Sequence, residues 1–443
     1  MKFYKALKAT FITTIFVIAL GIVTSSYVTH LLIPAERGVL TKTAAIISLF
    51  LILIDLGIGA ANTYFIGKKN HDIDTILGSN VIIVAFELFV ISLLFVFGRN
   101  SEFIVFQFLF KGLSGYVLIF ALLTIPISSI KSALTNVLLG MEQYTNYNKL
   151  NILFYVFNFI AVFISLNIYK SVISVLIANM IAMFIIILCQ IFLLNRQKIK
   201  VKFSLVTFKN MFQYGIKAQL SNFVQFFTYS LDILIISYYL GDVKTALYGV
   251  AVALATMMWQ IPGTIATLIY PSVSNSDDKE YIKDITNKTT RISIVVVFLC
   301  CVILALISKP LVLLYAGRNY IISGSASGAI IPLVLLIPGI AFFSISKILA
   351  GSLAGMGRID INLKISAIIC VITVVLDFMF IPIYGIIGAS VVTSITYICH
   401  AILTLGFYKR LTDSRIRDII LINKADMKVI KEKLSGRFKK IGV

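Results

Sequence analysis

Long apolar runs alternate with short polar joints along almost the whole chain. A helix rises about 1.5 Å per residue, so about 20 residues are needed to cross a hydrocarbon layer of about 30 Å. Barrel strands need only about 10 residues, which excludes a barrel for runs of this length. The pattern therefore predicts twelve membrane-spanning helices, at 9–33, 43–66, 76–98, 113–140, 150–169, 171–195, 212–240, 245–271, 292–316, 328–356, 365–384 and 386–408.

Several of these runs recur at a fixed distance along the chain. The shift that places Gly140-Met141 on Gly355-Met356 also places Leu134 on Leu349, Lys149 on Lys364 and Tyr169 on Tyr384, without a gap. Internal repeats of this kind are typical of transporters. We therefore expect two six-helix lobes, 1–195 and 212–408, joined by a basic cytoplasmic linker at 196–211 and followed by a basic cytoplasmic tail at 409–443.

Composition and charge support a membrane protein with a defined orientation. The chain is 59% hydrophobic and 13% charged, with a net charge of +20. With both termini in the cytoplasm, the cytoplasmic segments hold 28 Lys and Arg residues, and the outer loops hold 8 when Lys309, near the outer end of the ninth span, is included. Because basic residues accumulate on the cytoplasmic side and attract anionic lipid, this bias explains the net charge without nucleic acid as a partner.

Motifs for enzymatic or metal chemistry are absent from the sequence. The five cysteines all lie within apolar runs, in no spacing typical of a zinc site or a disulfide framework. No Gly-x-x-x-x-Gly-Lys-Ser/Thr, His-Glu-x-x-His or Gly-x-Ser-x-Gly motif is present. We therefore predict a transporter without a resident metal or cofactor, and not an enzyme.

Four stretches resemble the polysaccharide-transporter branch of the MOP (multidrug/oligosaccharidyl-lipid/polysaccharide) exporter superfamily, which includes Wzx-type O-antigen flippases. They are LLIPAERG at 31–38, DLGIG at 55–59, GSLAGMGR at 351–358 and IPIYGIIGA at 381–389. The first departs from the family pattern, because Ile33 stands where Gly is common. The resemblance implies an all-α, MATE-like fold of two lobes around a central cavity.

The resemblance also implies a function. The expected cargo is a polyprenyl-pyrophosphate-linked oligosaccharide, moved by alternating access to the outer leaflet of the inner (plasma) membrane for O-antigen or capsule assembly. Expected partners are this lipid-linked substrate, membrane lipids, a polysaccharide polymerase and glycosyltransferases. The alternative from the same superfamily is a cation-coupled multidrug antiporter.

Cations within the predicted spans are candidate substrate-binding residues, because an unpaired charge in a membrane is costly. Lys131 and Lys347 precede the repeated Gly-Met by nine and eight residues, which places them about 12–14 Å from the helix end. They could bind the anionic headgroup in a wet cavity, or pair with acids to join helices. Lys217 could line the cavity or extend to the headgroups. Arg291 could anchor its helix or capture cargo.

Four acids within the predicted spans complete the set of candidates: Asp55, Glu87, Asp232 and Asp377. Intramembrane carboxyl groups recur in proton relays and ion-coupled transporters. These residues could therefore couple transport to protons or sodium ions, or could pair with the lysines. The sequence leaves both interpretations open.

Overall fold

The computed structural model describes residues 2–69, 71–98, 104–196, 200–274, 276, 278–322 and 328–421. Within these ranges all regular secondary structure is helical. Residues 197–199 of the predicted basic linker and 422–443 of the predicted tail lie outside the described residues. The chain divides into two compact units, Met1–Leu247 with Tyr315–Asn319, and Tyr248–Leu314 with Tyr320–Val443. The predicted division into lobes at 196–211 stays a prediction.

The first unit contains ten helices among the described residues, and an eleventh begins in it. They are α1 (Lys2–Leu31), α2 (Pro34–Ile54), α3 (Ile58–Gly67), α4 (Ile73–Gly98), α5 (Ile104–Phe110), α6 (Gly115–Gly140), α7 (Tyr144–Ile168), α8 (Val172–Asn195), α9 (Leu205–Tyr229), α10 (Leu231–Leu240) and α11 (Asp242–Thr256). One core cluster joins α2 to α6 through Phe50, Leu122 and Ile125. Another joins α3 to α6 through Phe65 and Leu138.

The second unit continues from α11 through a 3-10 turn, Met257–Trp259. Its further helices are α12 (Gln260–Ser274), α13 (Lys279–Leu306), α14 (Ser308–Ala316), α15 (Asn319–Ile322), α16 (Ile330–Gly355), α17 (Ile359–Thr412) and α18 (Ile416–Ile420), with the end of α14 and the start of α15 assigned to the first unit. Its main core cluster packs α16 against α17, with Leu349, Leu353 and Ile365 fully buried.

Polar residues at the helix starts explain where several helices begin. Ser114, Ser171 and Ser204 each accept a hydrogen bond at their hydroxyl from the backbone N–H three residues later. Asp278 accepts two such bonds, from Glu280 and Tyr281, at the start of α13. These side chains satisfy N–H groups that a helix cannot satisfy internally, so the polar joints fix the helix boundaries.

The number of membrane-spanning helices is close to the number predicted. Among the described residues, ten helices are long and apolar enough to cross a membrane, or eleven when the bent pair α9–α10 counts as one. One of them, α17, has 54 residues and contains a non-helical Gly385 (φ 62°, ψ −145°), where two helices meet. A straight helix of this length would extend about 81 Å, far beyond the membrane. The exact number of twelve stays a prediction.

Apolar side chains are exposed on the outer faces of these helices. Examples with about half or more of their surface exposed are Val23, Phe89, Ile164, Phe298 and Val371. Exposure of this much apolar surface to water would cost free energy, whereas contact with lipid does not, so these faces are the expected exterior of a membrane protein. The chain is therefore an all-α, multi-pass membrane protein.

Helix boundaries match the internal repeat over the stretch that the shift from Gly140 to Gly355 aligns. Helix α6 spans Gly115–Gly140 and α16 spans Ile330–Gly355, and the next helices begin at Tyr144 and Ile359. The two helix ends also share their hydrogen bonds, since the N–H of Met141 and that of Met356 each reach the carbonyl four residues back at 2.9 Å. The two segments thus fold alike locally.

The second predicted span, 43–66, differs from the structure in two ways. Helix α2 begins at Pro34, nine residues earlier, because Pro is well suited to the first helical position and lacks only an N–H that has no partner there. The helix then breaks at Asp55–Gly57, where Leu56 (φ 51°) and Gly57 (φ 71°) adopt left-handed conformations. The apolar run therefore holds two helices, α2 and α3.

Candidate functional site

Two of the predicted acids, Asp55 and Glu87, meet at one serine in the first unit. The Ser129 hydroxyl oxygen lies 2.7 Å from Asp55 Oδ1 and 2.7 Å from Glu87 Oε1. Asp55 follows the end of α2, Glu87 lies on α4 and Ser129 lies on α6. Glu87 and Ser129 are 0% and 1% exposed, whereas Asp55 is only partly buried. The structure therefore brings these two carboxyl groups together.

A close backbone contact explains why the helix breaks beside Asp55. A Cβ atom on Gly57 would lie 2.3 Å from the carbonyl oxygen of Gly215 on α9, and one on Gly215 would lie 2.0 Å from that of Leu56. Only glycine permits this approach, and only glycine adopts the Gly57 conformation without strain. The contact with α9 thus holds Asp55 at an interrupted helix, as at the ion sites of some transporters.

Lys131 stacks on an aromatic ring. Its Nζ lies 3.6 Å from the centre of the Phe154 ring on α7. Among the described residues, no carboxylate oxygen lies within 4.0 Å of this nitrogen. Cation–π contacts of this kind hold an ammonium group without neutralising its charge. Lys131 is therefore a half-buried ammonium group that contacts a ring and, within the described part of the chain, no carboxylate.

Lys347 has the same kind of environment in the second unit. Its Nζ lies 4.5 Å from the Trp259 ring and 5.8 Å from the Phe343 ring. Tyr397 and His400 pack around Phe343, with ring centres 4.8 and 5.1 Å away. Within the described part of the chain, this nitrogen too has no carboxylate within 4.0 Å.

The two lysines match in depth but not in direction. The shift from Gly140 to Gly355, which aligns α6 with α16, places Lys131 on Ser346, one residue before Lys347. One residue rotates a helical position by about 100°. This rotation accounts for the different partners, because Lys131 contacts the following helix α7 whereas Lys347 contacts the 3-10 turn that ends at Trp259.

The other predicted cations lie elsewhere. Lys217 is exposed on α9, two residues beyond the Gly57–Gly215 contact. Arg291 on α13 is 5% exposed and donates a hydrogen bond from its Nη1 to the carbonyl oxygen of Asp418 in α18. This bond ties α13 to α18 within the second unit.

The remaining predicted acids are buried. Asp232, 6% exposed, lies in the first turn of α10, where its Oδ1 accepts a hydrogen bond from the Ile233 N–H at 2.8 Å. Asp377, on α17, is 0% exposed. Neither lies within the Asp55–Ser129–Glu87 cluster.

Several candidate functional residues have no pattern in the sequence that marks them. Ser129, Phe154 and Trp259 carry no charge, so only the fold shows what they contact. Lys42 is a buried cation, 1% exposed, whose Nζ donates a hydrogen bond to the Lys111 carbonyl at 2.6 Å. Pro34 could have indicated the position of Lys42 from the sequence, because a helix that begins at Pro34 includes residue 42.

Comparisons with known proteins agree with this architecture. A family model described as a polysaccharide biosynthesis protein matches residues 27–323. A Shigella flexneri protein named as a candidate O-antigen transporter is 28% identical over 215 residues, which cover 48% of this chain and 49% of the relative. The chain spans about half the length of the relatives that it matches in sequence.

Solved structures share the fold. The lipid II flippase MurJ, in an inward closed conformation, matches with a TM-score of 0.74 and 15% identity over 92% of this chain and 88% of its own. An inward-facing MATE family multidrug resistance transporter of the MOP superfamily matches with a TM-score of 0.68 and 14% identity, over 89% of this chain and 94% of its own. At these identities the likeness concerns the fold.

Proposed function

Because the chain belongs to the polysaccharide biosynthesis protein family and has the fold of the MOP superfamily, we propose that it is a flippase for a polyprenyl-pyrophosphate-linked oligosaccharide. It moves this lipid by alternating access from the cytoplasmic to the outer leaflet, for O-antigen or capsule assembly. The name of a sequence relative, a candidate O-antigen transporter, and that of a solved structure with the same fold, a lipid II flippase, support a lipid-linked sugar as cargo.

The observation that carries the proposal is the pair of unneutralised lysines. A pyrophosphate headgroup loses its hydration when it leaves water, and bare hydrocarbon offers nothing in return. Among the described residues, aromatic rings and not carboxylates contact the ammonium groups of Lys131 and Lys347, so neither group is engaged in an ion pair. Each ammonium group can therefore donate charge-assisted hydrogen bonds to a phosphate, which are about twice as strong as neutral ones.

The arrangement of charges favours this cargo over a cationic drug. An antiporter for cations needs carboxylates that are free to meet its substrate, whereas Asp55 and Glu87 are both engaged by Ser129. The deep cations, in contrast, are available for an anion. A multidrug antiporter for cationic compounds would be expected to have free carboxylates and no deep lysines.

The proposal also implies a location in the membrane and a set of partner enzymes. The chain resides in the inner or plasma membrane with both termini in the cytoplasm, as the excess of basic residues on that side supports. Glycosyltransferases supply its lipid-linked substrate on the cytoplasmic side, and a polymerase uses the product on the outer side.

A double substitution tests the role of the lysines in cells. Lys131→Ala with Lys347→Ala, expressed in a host that lacks this gene, should abolish display of the surface polysaccharide, while immunoblots of membranes show normal protein. The matched control is Lys149→Ala with Lys364→Ala, an exposed pair that the internal repeat places on each other. Normal display in the first variant would remove both lysines from the mechanism.

A further inference from the structure

The two hydrogen bonds in the Asp55–Ser129–Glu87 cluster require two hydrogens, and the Ser129 hydroxyl supplies only one. A serine hydroxyl has one hydrogen and can donate only once, and an ionised carboxylate can only accept. Ser129 nevertheless lies at hydrogen-bond distance, 2.7 Å, from a carboxyl oxygen of each acid. Both contacts are bonding only if one carboxyl group is protonated and donates its own hydrogen to the serine oxygen.

Burial supports the same conclusion. Glu87 lies one turn from Ile83 and one turn from Ile91 on α4, and Ser129 lies one turn from Ile125 on α6, all of them buried. Glu87 Oε2 is buried without a hydrogen-bond partner among the described residues. Two ionised carboxylates in such surroundings repel each other and lack solvation, so a pair that shares one proton is the stable form.

The basic side chains of the surrounding helices do not neutralise the pair. The titratable residues on α2, α3, α4, α6, α9 and α10, which pack around it, are Glu36, Arg37, Lys42, Tyr64, Asp74, Tyr116, Lys131, Lys209, Tyr214, Lys217, Tyr229, Asp232, Tyr238 and Tyr239. Among the described residues, no Lys or Arg nitrogen lies within 4.0 Å of either carboxyl group. Lys131, two residues from Ser129, is directed to Phe154.

An independent polar group lies on the same face of α4. Asn80 precedes Glu87 by seven residues, which is two helical turns. It is 6% exposed, and neither of its amide atoms has a partner in the described part of the chain. It lines a cavity of about 440 Å³ together with Ile130 and Ala133 of α6. The Asn80 amide is therefore a polar group between this cavity and Glu87, and it can both donate and accept hydrogen bonds.

We propose that Asp55 and Glu87 hold one exchangeable proton through Ser129, and that this pair is the proton-coupling site of the transporter. The coupling role rests on the proposed flippase function. Asp55 is the partly exposed member and exchanges the proton with water, whereas Glu87 is the buried member. When the proton leaves to water, the pair changes from a charge of −1 to −2, and the single serine hydrogen can bond only one carboxylate.

Loss of the proton therefore loosens one of the two contacts. Asp55 sits at the break between α2 and α3, whereas Glu87 and Ser129 belong to α4 and α6. Deprotonation thus weakens the attachment of the α2–α3 break to the other two helices. Binding and release of the proton can therefore change how firmly the α2–α3 break is held against α4 and α6.

Infrared spectroscopy of the purified full-length protein tests the proton directly and needs no substrate. The difference between the wild type and Asp55→Asn with Glu87→Gln should contain the carbonyl band of a protonated carboxyl group at neutral pH, shifted in D₂O. The difference against Glu142→Gln, which removes an exposed carboxylate outside the spans, should lack it. A first difference that contains only carboxylate bands would overturn the shared proton.

Proteoliposomes loaded with a pH dye and a lipid-linked oligosaccharide test the coupling. In the wild type, an imposed pH gradient should change the translocation rate, and translocation should move protons. In Glu87→Gln, which mimics the protonated acid, both effects should be lost while Glu142→Gln keeps them. A response to a sodium gradient and not to pH would overturn the coupling role. A wild type that moves no lipid-linked sugar, with its infrared band intact, would refute the flippase and leave the shared proton standing.

Discussion

At the scale of single residues, the deep lysines show what the sequence predicts and what it leaves undetermined. Their depth follows from counting back from the repeated Gly-Met, which the matching ends of α6 and α16 justify. Their partners do not follow, because Phe154 and Trp259 are distant in sequence and typical of any apolar span. The choice between an ion pair and an aromatic contact is a tertiary one, and the structure decides it for both lysines.

Removal of the ring beneath Lys131 should weaken transport without removing the charge. In Phe154→Leu the apolar volume is largely kept but the cation–π contact is lost, a contribution of about 0.5–2 kcal/mol. The translocation rate in proteoliposomes should fall about 2- to 30-fold, since about 1.4 kcal/mol corresponds to tenfold. Phe154→Tyr keeps the ring and should retain the rate. Equal rates for Phe154→Leu and the wild type would show that the ring does not position Lys131.

At the scale of helices, the apolar pattern predicts the spans well but not their interruptions. The run 43–66 contains Asp55, Gly57 and Gly59, but these residues within an apolar run do not by themselves predict that the helix stops. The break depends on the approach of α9 at Gly215, a contact between residues that are far apart in the sequence. The same limit applies to Ser129, whose role depends on three elements meeting.

Substitution at the α9 contact should destabilise the fold. A Cβ on Gly215 would lie 2.0 Å from the Leu56 carbonyl oxygen, so Gly215→Ala forces the backbone apart. Overpacking of this kind costs about 1–3 kcal/mol, and the apparent melting temperature in detergent should fall. Gly406→Ala is the control, since a Cβ there meets nothing within 4 Å. Similar melting temperatures for Gly215→Ala and Gly406→Ala would argue against a tight contact.

At the scale of the whole chain, a repeated architecture carries a pair of similar but not identical charge sites. The constant shift between the copies was readable in the sequence, and it recurs in the helix bounds and in the hydrogen bonds after Gly140 and Gly355. The same shift places Asp55 on Tyr270 and Glu87 on Val302, so it does not repeat the carboxyl pair in the sequence. The two halves therefore share their cation depth, whereas the proposed proton site belongs to one of them.

Lys131 and Lys347 are proposed to bind the anionic headgroup while it crosses the membrane. The most direct measurement is the rate at which purified protein in proteoliposomes moves a polyprenyl-pyrophosphate-linked oligosaccharide to the opposite leaflet. Lys131→Ala with Lys347→Ala should reduce this rate to that of protein-free vesicles, and Lys131→Arg with Lys347→Arg, which keeps both charges, should retain part of it. Translocation by the alanine variant at the rate of the wild type would contradict the account.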